Sequence, residues 1–158
     1  MSEATHDNDG GVVPIDPDLS PRARRARPGV LLAIAAGGAL GAPARYEVAQ
    51  IIRVAKDTFP WATFWTNVSG SFVLGFVLVL LIERFPPTQY LRPFVAIGFL
   101  GAFTTFSTFA VETDLLVKDG HAVLGVAYAL ASLATGLVAV WAGMLLARTT
   151  PVRERTSA

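Results

Sequence analysis

The sequence predicts an all-α membrane protein that crosses the bilayer four times. Four apolar blocks, at roughly 29–52, 61–82, 94–111 and 121–147, divide the chain, and most charged residues lie outside them. A helix needs about 20 mostly apolar residues to span the hydrocarbon core of a bilayer. The first, second and fourth blocks reach this length easily and the third is shorter, so we predict four transmembrane helices per subunit.

Polar tails flank the predicted transmembrane domain, which covers residues 29–147. Residues 1–28 are acidic and then rich in proline and arginine ("SPRARRARPG"), without the apolar run that a signal peptide places directly behind its charges. We predict a disordered N-terminal tail that ends in a basic membrane anchor, and a short C-terminal tail at 148–158. The arginines of the tails favour cytoplasmic termini, whereas the connectors between the helices show no such bias.

The composition excludes several classes of function. The chain has no cysteine, which excludes a disulfide framework and a thiolate metal site. Its net charge of +1 provides no basic surface for nucleic acid. The sequence has neither an HExxH motif nor a nucleophile elbow, and we therefore expect that the protein is not an enzyme.

Helix 1, "GVLLAIAAGGALGAPARYEVAQII", contains a pair of small residues and a charged residue inside its apolar block. Gly37 and Gly41 are spaced to let another backbone approach closely, and Pro43 favours a kink. Arg45 is the one basic residue well inside an apolar block. An arginine at this depth either faces a water-filled cavity or a partner, or it pairs with Glu47 or reaches to the interface.

Helix 2, "WATFWTNVSGSFVLGFVLVLLIERF", has two polar residues on one face. Asn67 and Ser71 lie four residues apart, and Gly70 and Gly75 leave space close to them. The asparagine amide either bonds to another helix, which is the commoner use of this residue in membranes, or points its donors into a pore.

Helix 4, "HAVLGVAYALASLATGLVAVWAGMLLA", carries a thin polar stripe. Tyr128, Ser132 and Gly136 follow one another at a spacing of four residues, and Thr135 lies beside them. The stripe alone is a weak signal, since serine and threonine hydroxyls often bond to their own helix.

Helix 3 contains "GAFTTFSTF", in which hydroxyl side chains alternate with phenylalanines. Its β-branched residues give it a poor helix propensity, and a break would free main-chain groups that protein, water or an ion must satisfy. A broken helix could therefore point carbonyls at a cation. The alternative is a continuous helix that packs Phe103, Phe106 and Phe109 on one side, and periodicity alone favours this alternative.

Three motifs, taken together and in this order, resemble the Fluc/CrcB fluoride channels. They are "GGALGAPARY" (37–46), "TNVSGSFVLG" (66–75) and "GFLGAFTTFSTF" (98–109), and the resemblance covers about residues 29–147. It implies a third helix broken within the membrane and an antiparallel, dual-topology dimer formed with itself or with a paralogous subunit. It also implies passive export of fluoride across the inner (plasma) membrane of a bacterium, which lowers cytoplasmic fluoride and gives fluoride resistance.

The resemblance also implies roles for individual residues. A structural Na⁺ at the dimer interface would be held by the backbone carbonyls of Gly101 and Thr104. The residues implied for the fluoride pathway are Arg45 in the vestibule and Asn67, Thr105, Phe106, Ser107, Phe109, Tyr128 and Ser132. The third position of the helix 4 stripe departs from the family pattern, because it is Gly136 where a hydroxyl is common. Thr135 or a water molecule could replace that hydroxyl.

The residue types suit a small, strongly hydrated anion. A fluoride pore must replace water by hydrogen-bond donors and positive edges, which hydroxyls, an asparagine amide and the edges of phenylalanine rings provide. One alternative is a proton-coupled exporter of the small multidrug resistance type, which needs a membrane carboxylate. The sequence offers only Glu47 for that role. A second alternative is a scaffold that dimerises without transporting an ion.

Overall fold

The computed structural model describes residues 27–84 and 89–149, and every regular element among them is helical. The helices are α1 (Pro28–Ile51), α2 (Trp61–Val79), α3 (Leu100–Phe103), α4 (Phe106–Lys118) and α5 (Ala122–Thr149). A wider π-helical stretch, Leu80–Arg84, continues α2, and another, Pro93–Phe99, leads into α3. Most of both predicted tails lies outside the described residues.

Four helical segments are long and apolar enough to cross a membrane, as the sequence predicts. They are Pro28–Ile51, Trp61–Glu83, Pro93–Lys118 and Ala122–Thr149. The third span is longer than the apolar block at 94–111, because it runs past Glu112 to Lys118. The helix can continue through this carboxylate because two side chains from other spans donate hydrogen bonds to it.

Glycines join the spans into two close pairs. In the first pair, a Cβ at Gly37 or Gly41 of α1 would collide with the main chain of the third span. In the second pair, a Cβ at Gly75 of α2 would collide with α5, and one at Gly143 of α5 would collide with α2. We call these two contacts the glycine seams. The close approach predicted for Gly37 and Gly41 is thus confirmed.

The helical path of the third span changes at two threonines, which we call the junction. Thr104 (φ −76°, ψ 160°) and Thr105 (φ −147°, ψ 121°) have extended backbone between α3 and α4. Thr105 then caps α4, since its Oγ1 accepts a hydrogen bond from the Thr108 N–H at 3.2 Å. A hydroxyl in this position satisfies one of the free N–H groups at the start of a helix.

The junction separates the three phenylalanines that a continuous helix would place on one side. Phe103 stacks on Phe99, with 6.0 Å between the ring centroids and 6° between their planes. Phe106 and Phe109 instead lie next to each other beyond the junction, 5.8 Å apart. The expected phenylalanine face is therefore divided into two aromatic pairs.

Candidate functional site

A cavity of about 360 Å³ lies where α2, α3, α4 and α5 meet. Seven of the residues that the resemblance implies line it: Asn67, Gly101, Thr104, Thr105, Phe106, Phe109 and Ser132. Arg45, Ser107 and Tyr128 are absent from the lining of this cavity. Ser71, on the predicted polar face of α2, also lines it. Polar side chains and phenylalanine rings thus line the cavity together at the junction.

Asn67 pairs with the main chain of Thr105. Its Nδ2 donates to the Thr105 carbonyl at 2.9 Å, and its Oδ1 accepts from the Thr105 N–H at 2.8 Å. In a continuous helix this N–H would donate to the carbonyl of Gly101. The amide therefore takes the place of a helical neighbour, and one of its two N–H bonds remains for another acceptor. Of the two sequence interpretations of Asn67, the contact between helices is present.

Arg45 reaches the same junction from α1. Its Nη1 lies 3.4 Å from the Thr104 carbonyl, and its side chain is partly buried. The partner that the structure gives Arg45 is thus a main-chain carbonyl of the third span. The bond is long for N–H···O, which indicates a weak contact.

The two phenylalanines beyond the junction differ in their surroundings. Phe106 borders the cavity and is 78% exposed in the single chain. Phe109 is half-buried and packs against Tyr128, with 5.3 Å between the ring centroids. The Phe106 ring is consequently free to contact an ion, lipid or another subunit. The Phe109 ring is held in place by its packing against Tyr128.

The hydroxyls of α4 form a small group beside the cavity. Thr105 Oγ1 lies 2.9 Å from Thr108 Oγ1 and 3.3 Å from Ser107 Oγ. Ser107 is exposed, while Thr105 is buried and borders the cavity. Thr105 is therefore the member of this group that reaches the site directly.

Ser132 is a buried hydroxyl without a partner. Among the described residues, its Oγ is the buried side-chain polar atom that makes no hydrogen bond, and the residue lines the cavity. A buried polar atom is costly unless it is bonded. Ser132 can therefore donate to a ligand or a water molecule in the cavity without losing a protein contact.

Tyr128 is buried beside a carboxylate of the third span. Its side chain is fully buried, and its hydroxyl donates to Glu112 Oε2 at 2.8 Å. Thr63 Oγ1 of α2 donates to the other oxygen, Oε1, also at 2.8 Å. We call Thr63, Glu112 and Tyr128 the carboxylate cluster.

Glu112 and Thr63 are polar residues of this cluster that no motif in the sequence singles out. Glu112 lies within the third span, so the interpretation that Glu47 is the only membrane carboxylate is wrong. The apolar block ends just before Glu112, which made this residue look like a boundary. Its position three residues after Phe109, in step with the Phe106–Phe109 spacing, was the available signal for an inward-facing side chain.

Comparison with known proteins identifies a family. Residues 32–144 match the family model described as "CrcB-like protein, Camphor Resistance (CrcB)". A relative from Streptomyces avermitilis named fluoride-specific ion channel FluC 3 is 48% identical over 124 residues, which are 78% of this chain and 61% of the relative. A FluC from Methylococcus capsulatus is 45% identical over 78% of this chain and 55% of its own length.

A relative of nearly matching extent comes from Mycobacterium bovis. It is named fluoride-specific ion channel FluC 1 and is 41% identical over 124 residues, which are 78% of this chain and 94% of the relative. The chain therefore spans most of this relative, but only 61% and 55% of the Streptomyces and Methylococcus proteins. The matched region covers all four spans almost completely.

Proposed function

The chain belongs to the CrcB-like family, and we propose that it is a fluoride-selective channel that lets fluoride leave the cytoplasm passively across the inner (plasma) membrane. Relatives that are 41% to 48% identical carry the name fluoride-specific ion channel. The observation that carries the proposal is the cavity at the junction, which combines phenylalanine rings with an unpartnered buried hydroxyl. Lower cytoplasmic fluoride would make the cell resistant to the ion.

The cavity lining suits the chemistry of fluoride. A pore must offer donors in place of the water it removes, and it must bind weakly enough to release the ion. Ser132 has a free hydroxyl and Asn67 a remaining amide N–H, and the positive edges of the Phe106 and Phe109 rings can face an anion. All of these donors are neutral, so each of them binds the anion less tightly than a charged side chain would.

We further propose an antiparallel, dual-topology dimer with a second copy or a paralogous subunit. Only 11% to 22% of the apolar window in each span is buried within the single chain. The exposed Phe106 ring stands at the edge of the cavity, where a second subunit would close the open side. The junction would then lie within the membrane, at the interface between the subunits.

Carbonyl oxygens at the junction are suitable ligands for the proposed structural Na⁺. Among the described residues no group of acidic, histidine or cysteine side chains could hold a metal. At the junction, however, the Gly101 carbonyl loses its helical donor, the Thr105 N–H, and the Thr104 carbonyl accepts a long contact from Arg45. Carbonyl oxygens are hard ligands of the kind that alkali cations accept. Gly101 and Thr104 would hold the ion, and its positive charge would draw together the third spans of two subunits.

Fluoride efflux from proteoliposomes tests the proposed function. We expect the purified protein to release fluoride much faster than chloride when a potassium ionophore balances the charge, at a rate that does not require a proton gradient. Equal release of the two halides, or none of fluoride, would exclude a fluoride channel. Transport that required a proton gradient and an organic cation would instead support the exporter alternative, for which Glu112 would be the carboxylate.

The variant Phe106→Ile tests whether this ring lines the fluoride pathway. Because the Phe106 ring is largely exposed, its loss should slow fluoride efflux while leaving thermal stability close to that of the unmodified protein. Val111→Ile, on an exposed position of the same helix, is the control and should conduct normally. Unchanged efflux in Phe106→Ile would remove this ring from the pathway.

A further inference from the structure

The polar stripe predicted for helix 4 lies on α5, and it ends at a point where α2 provides a hydroxyl. Tyr128, Ser132 and Gly136 are spaced four residues apart on α5, and so they lie on one side of the helix. Gly136 has no side chain, and the atom found next to the position its Cβ would take is Ser71 Oγ, at 3.8 Å. Ser71 also lines the cavity that contains Ser132 and Asn67. A hydroxyl of α2 is thus placed beside the point where α5 has none.

Thr135, which neighbours Gly136 in sequence, does not fill this position. Its Oγ1 donates to the carbonyl of Ala131 at 2.6 Å, and the contact is exposed. A hydroxyl that donates to its own helix has no second hydrogen to offer an anion. Thr135 is also absent from the cavity lining, which includes Ser71.

We propose that Ser71 is an ion-contacting residue of the fluoride pathway, and that its hydroxyl serves as the donor that α5 lacks at Gly136. The proposal rests on the proposed function of the cavity. A small anion that has lost its water needs a new donor at each step. Ser132 and Ser71 provide two such donors from opposite helices of the same cavity.

Moving the hydroxyl from one helix to the other tests this assignment. Ser71→Ala should slow fluoride efflux from proteoliposomes about tenfold, the loss expected when one hydrogen bond to a charged group is removed. Adding Gly136→Ser to Ser71→Ala should restore most of the rate, because the new side chain points at the vacated space. A Cβ at Gly136 fits at an ordinary contact distance, so the second substitution should not disturb the packing.

Two matched variants separate the hydroxyl from other effects. Gly136→Ala in the Ser71→Ala background adds the same Cβ without the oxygen and should not restore the rate. Ser69→Ala removes a hydroxyl from the same helix that donates to the Trp65 carbonyl at 2.6 Å, and it should conduct like the unmodified protein. The thermal midpoints of all variants, measured in detergent, should remain close together.

Several outcomes would overturn the proposal. They are normal efflux in Ser71→Ala, equal rescue by alanine and serine at position 136, and a loss in Thr135→Ala where Ser71→Ala has none. In each of these cases the unmodified protein would still conduct fluoride, so the proposed function would survive. Absence of fluoride flux in the unmodified protein would instead reject both the function and the role of Ser71.

Discussion

The junction and the carboxylate cluster are both hydrogen-bonded groups on the third span, but they hold different parts of it. At the junction, side chains from α1 and α2 bind main-chain atoms. In the carboxylate cluster, hydroxyls from α2 and α5 bind a side chain. The first group therefore determines the path of the backbone, and the second determines the position of one charged group.

This difference predicts how each group responds to substitution. A main-chain N–H or C=O group cannot rotate towards a new partner. If it is buried and loses its hydrogen bond, the unpaired group destabilises the fold by about 1–3 kcal/mol. A hydroxyl can rotate and act as donor or acceptor. The carboxylate cluster should thus tolerate an exchange between carboxylate and amide that the junction would not.

Asn67→Asp should have the largest effect, because it damages the junction directly. One oxygen can still accept from the Thr105 N–H, but the other would face the Thr105 carbonyl and repel it. We expect fluoride efflux to collapse at neutral pH, where the new carboxylate also repels the anion, and the thermal midpoint to fall. Efflux at the unmodified rate would show that the amide donor is dispensable and would contradict this account of the junction.

Glu112→Gln should have an intermediate effect. Glutamine has the same shape, and the hydroxyls of Thr63 and Tyr128 can reorient so that one of them accepts from the new amide. We expect a smaller fall in the thermal midpoint than in Asn67→Asp, with fluoride efflux still measurable. A fall as large as that of Asn67→Asp, measured in the same detergent, would show that the two groups are equally rigid.

Arg45→Gln should have the smallest effect on stability, since its bond to Thr104 is long at 3.4 Å. Its charge lies close to a carbonyl proposed to hold Na⁺, and two like charges near one oxygen repel each other. The variant should therefore gain more thermal stability from added sodium than the unmodified protein does. Arg53→Gln, at an exposed position beyond α1, is the control, and identical sodium titrations in all three proteins would exclude this coupling.

The spans and one glycine seam could be predicted because their signals are local. Hydropathy marks a span wherever apolar residues continue for long enough, and the spacing of Gly37 and Gly41 marks a close contact without naming its partner. The junction was only one of two interpretations of "TTFSTF", because periodicity alone also fits a continuous helix. The resemblance, rather than the composition, favoured the interruption.

The contacts between residues of the site could not be predicted from the sequence. Asn67 and Thr105 are 38 positions apart, and no pattern near either residue shows that they pair. Glu112 looked like the end of a span because its two donors come from other helices. The resemblance implies a pathway role for Tyr128, and no pattern in the sequence shows that its hydroxyl donates to Glu112. Polar residues in a membrane are easy to find in a sequence, but their partners are not.

The glycine seams also limit how this protein can evolve. At Gly37, Gly41, Gly75 and Gly143, a neighbouring carbonyl occupies the volume that even a methyl group would need. At these four positions each single step away from glycine forces two backbones apart. Lineages that descend from this sequence should keep glycine there for as long as the helices stay in their present arrangement.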